Sequence, residues 1–314
     1  MTVLFVSENQ LDRAENLHTV FDAFQGDKVF RRGWGTYVRA AELDYSLVVV
    51  DTMPPYMPSK RCPVVFVHHG ITGDKLYGYD QPRKYLDDRA RGQIDYAIAA
   101  SDDPQIIEIV ASQTNAQTVI PLGFPRTDFL FSKRDRKMSC KRTYLYAPTF
   151  RDGYEDAPLP TVDWALVDSL LTDDELLVIK RHYFTANPIC GCMRHIYEAG
   201  NMEPSTPYVV GCDVLVTDFS SIMFDAYVAG KPVILATDGS SGYLKHRGMY
   251  LDYPNGYTSR WLNIAHNERK LVDFMRAVSE VGMTAYEKRI CKKVAGKCDG
   301  HSTERVIGLM EGLL

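Results

Sequence analysis

The sequence lacks several features that identify whole classes of protein. Its 314 residues contain 36 lysines and arginines against 40 aspartates and glutamates, a net charge of −4, which disfavours a binder that attracts nucleic acid through overall positive charge. No apolar run approaches the roughly 18 residues of a membrane span. The first ten residues start with an apolar run and carry no basic segment, so a secretory signal is not expected. We therefore predict a cytoplasmic protein and leave peripheral contact with a membrane open.

Cysteine usage excludes two further classes. The seven cysteines are odd in number and irregularly spaced, which predicts free thiols rather than a disulfide framework. Cys190-Gly191-Cys192, with His195 close by, has neither the spacing nor the second pair of a structural zinc site, so no metal site is expected. The chain also shows no internal repeat.

Short apolar runs alternate with helical patterns along the chain. The runs are residues 3–6, 45–50, 64–67, 96–100, 118–120, 143–147, 176–180, 213–217 and 232–236. Apolar strands separated by helices predict parallel sheets that are covered on both faces. The polar, basic stretch 131–142 interrupts this rhythm and predicts a domain boundary near residue 140. We therefore predict two doubly wound α/β domains, 1–140 and 141–314, that face each other across a cleft.

One segment combines a strand, a polar turn and a helix. Residues 217–221 read Thr-Asp-Phe-Ser-Ser, and Asp225 follows one turn into the predicted helix. Ser220 and Ser221 are predicted at the helix N-terminus, where unpaired N–H groups and the positive end of the dipole favour an anion such as phosphate. Ordinary helix capping explains the same residues, so the segment alone leaves both interpretations open.

This segment and five others resemble, in the same order, the CDP-glycerol glycerophosphotransferases, which include the primases and polymerases of wall teichoic acid. The other pieces are His69-Gly70 with Lys75, residues 123–128 (Gly-Phe-Pro-Arg-Thr-Asp), residues 146–151 (Tyr-Ala-Pro-Thr-Phe-Arg), residues 243–252 and residues 299–305. The resemblance implies a GT-B fold, in which two Rossmann-like domains enclose a cleft. It further implies that the N-terminal domain binds the acceptor and the C-terminal domain binds the nucleotide donor, with the last helix free to pack back on the N-terminal domain.

The resemblance also implies one catalytic histidine in each half. His69 matches the family's His-Gly pair and is the expected base, with its neighbour His68 as the competing candidate. His182 matches a second histidine in a Lys-x-His-Pro segment, where Tyr183 here replaces the proline. His182 and Arg151 are expected to stabilise the charge on the leaving phosphate.

The remaining site predictions follow from motif position. The expected donor-binding residues are Arg151, Thr217, Asp218, Ser220, Ser221 and Asp225. Further candidates for the cleft are His68, Gly70, Lys75, Arg126, Thr149 and Lys180. Because cations and a helix dipole supply the positive charge in this set, no metal and no cofactor are expected; the nucleotide-activated donor is a substrate.

The resemblance therefore predicts transfer of a glycerol-phosphate-like group from a CDP-glycerol-type donor to a hydroxyl of a polyol, a glycan or another acceptor. Because the second histidine motif is altered, an alternative is transfer of a sugar from a nucleotide sugar to a glycan, a lipid or a modified nucleobase. A non-catalytic nucleotide-binding module is the third interpretation. The basic stretches 133–142 and 288–297 are typical of solvated surfaces, with an anionic polymer or a membrane surface as the alternative partner. The sequence leaves the acceptor and the oligomeric state open.

Overall fold

A computed structural model describes residues 1–7, 16–32, 45–51, 62–68, 93–131, 140–151, 159–185, 187–238 and 242–314. These residues form two compact units. The first unit contains the described residues up to Phe131 together with Lys292–Leu314, and the second contains those from Cys140 to Cys291.

Parallel strands and short helices alternate along both units. The strands are β1 (Val3–Ser7), β2 (Lys28–Arg32), β3 (Leu47–Val50), β4 (Val64–Phe66), β5 (Tyr96–Ala99), β6 (Thr118–Pro121), β7 (Arg142–Tyr146), β8 (Glu175–Lys180), β9 (Ile196–Ala199), β10 (Val214–Thr217), β11 (Val233–Thr237) and β12 (Trp261–Asn263). The helices are α1 (Asn16–Ala23), α2 (Pro104–Thr114), α3 (Trp164–Leu170), α4 (Thr206–Gly211), α5 (Ile222–Val228), α6 (Gly242–Arg247), α7 (Glu268–Val281), α8 (Ala285–Ala295) and α9 (Ser302–Leu313). A 3-10 helix spans Pro125–Phe131.

The sheet of the first unit has the order β2-β1-β3-β4-β5-β6, and its strands are parallel. Every residue of β1, β3 and β4 is buried, as expected for continuous apolar strands with both faces covered. At the carboxyl ends of β1 and β3, the Ser7 hydroxyl donates a hydrogen bond to the Asp51 carboxylate at 2.7 Å. Polar groups therefore gather at the edge where parallel α/β sheets bind ligands.

The last helix, α9, packs in the first unit although it closes the chain. The Asp128 carboxylate, in the 3-10 helix, accepts hydrogen bonds from the backbone N–H groups of Ser302 and Thr303 at 3.0 and 2.7 Å. This carboxylate thus satisfies N–H groups in the first turn of α9 from a distant segment. Arg305 Nε donates to the carbonyl oxygen of Leu122 at 2.7 Å. Two of the six motifs, 123–128 and 299–305, are therefore joined to each other.

The sheet of the second unit has the order β12-β11-β10-β7-β8-β9 and is also parallel. Its central strands place Tyr144, Ile179 and Val216 in one core cluster with Met275 of α7. The predicted α/β class with two doubly wound units is confirmed. Within the described ranges, no helix combines the length and the apolar character that crossing a bilayer requires.

A buried charged network anchors the amino end of β8. The Glu175 carboxylate accepts hydrogen bonds from Tyr144 Oη at 3.0 Å and from Arg276 at 2.8 and 2.6 Å. These hydrogen bonds lower the pKa of Glu175 to about 2, and the one from Arg276 has the largest effect. Burial opposes the shift. Because the network lies at the amino end of the strand, away from the carboxyl edge, it contributes to stability and not to the candidate site.

Candidate active site

The carboxyl ends of β7 and β10 bring three of the predicted residues into direct contact. Asp218, which follows β10, is 1% exposed. One of its carboxylate oxygens accepts hydrogen bonds from the backbone N–H and the hydroxyl of Thr149 at 2.8 and 2.7 Å. The other lies 2.5 Å from Arg151 Nη2. We call these three residues the Asp218 cluster.

The Asp218 cluster also fixes the position of a cation. The Arg151 guanidinium carbon lies 5.0 Å from the ring centre of Tyr243 and 5.5 Å from that of Phe219. The two rings stack at 4.6 Å with an interplanar angle of 12°, and such faces attract a guanidinium. Arg151 Nε is buried and has no hydrogen-bond acceptor among the described residues. An oriented guanidinium with an unsatisfied N–H is suited to an anionic oxygen.

The serines of the 217–221 segment lie where the sequence predicted them, directly before α5. Ser221 is in the N-cap position, but its side chain makes no capping hydrogen bond. Helix capping therefore does not account for the Ser221 hydroxyl. Thr217 has a structural role. Its hydroxyl donates a hydrogen bond to the carbonyl oxygen of Ala147 at 2.6 Å, which joins β10 to the end of β7. Asp225 lies in the first turn of α5 and is 8% exposed.

His182 contacts the segment that carries the Asp218 cluster. It follows β8, and its ring centre lies 4.7 Å from that of Phe150, the residue between Thr149 and Arg151. The structure thus brings the predicted second histidine beside the predicted donor residues.

Lys180, at the end of β8, braces the loop that carries this histidine. It is buried, and its Nζ donates hydrogen bonds to the carbonyl oxygens of Arg181 and Asn201 at 2.7 and 3.0 Å. Burial lowers its pKa to about 8. The ammonium group is thus engaged with main-chain carbonyls of its own unit.

In the first unit, a buried amide organises the end of β4. Asn16 Nδ2 donates to the carbonyl oxygens of Val67 and His68 at 2.8 and 3.1 Å, and Asn16 Oδ1 accepts from the backbone N–H of Arg126 at 3.0 Å. The His68 ring is buried between Phe66 and Phe124, with ring centres at 4.3 and 5.6 Å. A ring packed between two aromatic side chains is more typical of a structural histidine than of a base that exchanges protons.

Three predicted residues, His69, Gly70 and Lys75, lie outside the described residues. The motif positions did not include Asn16. Asn16 is fully buried beside Leu17 and Val20 on the inner face of α1, and a buried amide requires hydrogen-bond partners.

Comparison with known proteins shows which family this chain belongs to. The family model for CDP-Glycerol:Poly(glycerophosphate) glycerophosphotransferase matches residues 10–312. The chain belongs to this glycerophosphotransferase family. It is 25% identical over 232 residues to a teichoic acid glycerol-phosphate transferase of Staphylococcus aureus (68% of this chain, 59% of the relative). It is 28% identical over 155 residues to a teichoic acid poly(ribitol-phosphate) polymerase of Bacillus spizizenii (44% of this chain, 25% of the relative). The chain thus spans less than two thirds of the length of these relatives.

The fold of this glycerophosphotransferase family member is also that of a solved relative. The wall teichoic acid polymerase TagF superposes with a TM-score of 0.78 at 17% identity, over 99% of this chain and 88% of the TagF chain. The predicted GT-B class is confirmed by this match together with the two parallel sheets.

The Cys-Gly-Cys segment has a structural explanation in this family member. The Glu198 carboxylate accepts a hydrogen bond from the backbone N–H of Cys190 at 3.0 Å and pairs with Arg181 at 2.9 Å. Nδ1 of His195 lies 3.0 Å from the carbonyl oxygen of Asp168.

The described residues contain no group of three or more metal-ligating side chains that could hold an ion. No disulfide joins the seven cysteines, all of which are described.

Proposed function

We propose that this chain transfers a glycerol-phosphate-like group from a CDP-glycerol-type donor to an acceptor hydroxyl. The observation that carries the proposal is the Asp218 cluster, which holds the Arg151 guanidinium with a buried N–H that lacks an acceptor among the described residues. Membership of the glycerophosphotransferase family supports the donor class. The names of the two relatives support a polyol phosphate as the transferred group.

In the proposed reaction, the acceptor oxygen attacks the phosphorus that bears glycerol. The bond from that phosphorus to the bridging oxygen of the nucleotide breaks, and CMP leaves with the electron pair. The proton of the acceptor hydroxyl passes to His69, because an imidazole side chain is in general suited to accept a proton near neutral pH. The products are CMP and a new phosphodiester.

Charge develops on the oxygen that leaves with CMP. Arg151, held by Asp218, and His182, which contacts the neighbouring Phe150, are the groups that would stabilise this charge, because fixed donors need no reorganisation during the reaction. The hydroxyls of Ser220 and Ser221 would bind further phosphate oxygens. The positive charge in this set comes from the Arg151 side chain, and we propose that the reaction proceeds without a metal.

A donor panel tests the proposed function. Purified protein is incubated with CDP-glycerol, CDP-ribitol and UDP-sugars, and released CMP and UDP are separated by chromatography. Release of CMP from a CDP-polyol supports the proposal, whereas release of UDP alone supports the sugar-transfer alternative. Binding of a nucleotide without turnover of any donor supports a binding module.

The His69→Ala variant tests the base. It is expected to lose CMP release while its unfolding temperature stays at the wild-type value. Full CMP release by this variant would contradict the assignment of His69.

A further inference from the structure

The loop after β8 forms a tight turn around the His182 imidazole. The backbone N–H of Thr185 donates to the carbonyl oxygen of His182 at 2.9 Å, which closes a four-residue turn. Inside the turn, the backbone N–H of Phe184 donates to Nδ1 of the His182 ring at 3.2 Å. The imidazole is therefore tied to the main chain of its own turn.

The second of these hydrogen bonds assigns the proton on the ring. A nitrogen that accepts a hydrogen bond carries no proton, and a neutral imidazole has one donor nitrogen and one acceptor nitrogen. If Nδ1 is the acceptor, Nε2 is the nitrogen that bears hydrogen. Protonation of Nδ1 would cost the hydrogen bond from Phe184, so this contact favours the neutral ring.

We propose that the turn fixes His182 as a neutral imidazole with its proton on Nε2, which makes His182 a hydrogen-bond donor to a phosphate oxygen and not a proton acceptor. The phosphate part rests on the proposed function; the protonation state of the ring does not. The proposal divides the two histidines by role, because only His69 then remains to accept the proton of the acceptor hydroxyl.

Two side chains contact the main chain of the turn, and a third holds one of these two in place. Asn201 Nδ2 donates to the carbonyl oxygen of Tyr183 at 3.3 Å. The carbonyl oxygen of Asn201 in turn accepts from Lys180 Nζ at 3.0 Å. Arg181 Nη1 donates to the carbonyl oxygen of Thr185 at 3.2 Å. Asn201 is therefore a positioning residue, which acts on His182 through the main chain of the turn.

These braces account for the altered motif. Tyr183 is the second residue of the turn, a position where proline is favoured because its ring fixes φ. The family segment has proline there, and this chain has tyrosine. The amide of Asn201, bound to the Tyr183 carbonyl, restrains the next bond of the turn, because it orients the peptide between Tyr183 and Phe184.

Aromatic rings fix the plane of the imidazole. The Tyr183 ring stacks on His182 at 4.3 Å with an interplanar angle of 28°, and the Phe150 ring lies at 4.7 Å and 36°. These contacts restrict rotation of the ring, so the hydrogen bond from Phe184 and the donor at Nε2 keep one orientation. A preoriented donor is what transition-state stabilisation requires.

Nitrogen NMR of the imidazole rings tests the proposal without any substrate. Long-range proton–nitrogen spectra of protein labelled with nitrogen-15 distinguish the two neutral tautomers and the cation, and the His182→Gln variant assigns the signal among the eight histidines. At pH 8, His182 is expected to show the neutral pattern with hydrogen on Nε2. Hydrogen on Nδ1, or on both nitrogens, would overturn the proposal.

A pair of variants at one position isolates the main-chain contact. Phe184→Pro removes the N–H, and Phe184→Ala removes the ring and keeps the N–H. The nitrogen pattern of His182 is expected to change in the first and to persist in the second. The first should also turn over donor with a kcat/KM about three- to tenfold below that of the second, the size expected for one net hydrogen bond. An unchanged His182 pattern in Phe184→Pro would overturn the role of the N–H.

Two measurements on the wild type do not depend on the folding of these variants, and the first of them does not depend on the proposed function. A coupling across the hydrogen bond from the Phe184 amide to His182 Nδ1 is expected, and its absence would overturn the proposal. Addition of CDP-glycerol should shift the Nε2–H signal; no shift while the donor binds would overturn the phosphate contact. If CDP-glycerol neither binds nor reacts, the proposed function fails while the nitrogen pattern still decides the protonation state.

Discussion

Replacing Asp218 with asparagine is expected to damage both the candidate site and the fold. The asparagine oxygen can still accept from Thr149, but one amide N–H then faces Arg151 Nη2 across the present 2.5 Å contact, and two donors repel each other. Arg151 is 11% exposed, so it becomes a largely buried cation without its counter-ion. Breaking such a pair costs about 3–5 kcal/mol of stability.

The effect on donor binding follows from the displacement of the guanidinium. A hydrogen bond to a charged group contributes about 1.5–3 kcal/mol, so loss of one contact from Arg151 to a phosphate should weaken donor binding about 10- to 150-fold. Isothermal titration calorimetry with CDP-glycerol measures the Kd, and urea unfolding measures the stability.

Glu175→Gln is the matched control for this experiment. It breaks the buried pair with Arg276 at the amino end of β8, so it should lower stability by a similar amount and leave the Kd for CDP-glycerol unchanged. Equal Kd values for the wild type and Asp218→Asn would refute the assignment of the Asp218 cluster to donor binding. Equal weakening by both variants would show that general destabilisation explains the loss.

Three further predictions concern the structural parts of the fold. The pKa of Glu175 is lowered from 4.5 to about 2 in the folded protein. The ionised carboxylate therefore contributes about 3 kcal/mol of stability above pH 4.5, and this contribution is lost as the pH falls toward 2. Urea unfolding as a function of pH should show that Glu175→Gln loses less stability in acid than the wild type does. Gly123→Ala should destabilise the protein by at least about 2 kcal/mol, because φ is +82° and a Cβ would lie 2.2 Å from a backbone carbonyl oxygen. The matched variant Gly308→Ala in α9 adds a Cβ that meets no atom within 4 Å. It should stabilise the protein by about 0.5–1 kcal/mol. Asn16→Leu should cost at least about 3 kcal/mol, since it leaves three buried main-chain groups without their partner; a wild-type unfolding midpoint would contradict this.

The central strands of both sheets were predictable from the sequence, and three edge strands were not. β1, β3, β4 and β10 are continuously apolar because both of their faces are buried. β2 lies at one edge of the first sheet, and β9 and β12 lie at the two edges of the second. Each of these three strands includes exposed residues. Their short, mixed sequences do not differ from those of loops, so apolar runs could not identify them.

The motif order predicted which residues gather, but it did not predict what each of them does. Thr149, Arg151 and Asp218 are in contact although 67 residues separate the last two. Asp128 and Arg305, from two other motifs, hold the last helix. Sequence resemblance marks binding and structural residues alike, because a substitution in either set damages the protein.

Asn16 and Asn201 lay outside the prediction for a different reason. Each acts through contacts with main-chain atoms that belong to residues far along the chain, 110 residues away for Asn16 and Arg126. A main-chain partner leaves no residue type in the sequence to recognise. Only the folded chain reveals that these two amides shape the segments that carry the candidate histidines.

Transfer of the polyol phosphate itself is the most direct test of the proposed function. Phosphorus NMR follows CDP-glycerol with a short glycerol-phosphate oligomer as the offered acceptor, in parallel for the wild type, Asp218→Asn and Glu175→Gln. The wild type and Glu175→Gln are expected to convert the diphosphate signals into CMP and a new phosphodiester, and Asp218→Asn is expected to do so far more slowly at limiting donor. A wild type that leaves CDP-glycerol intact under these conditions and releases UDP from a UDP-sugar would contradict the account.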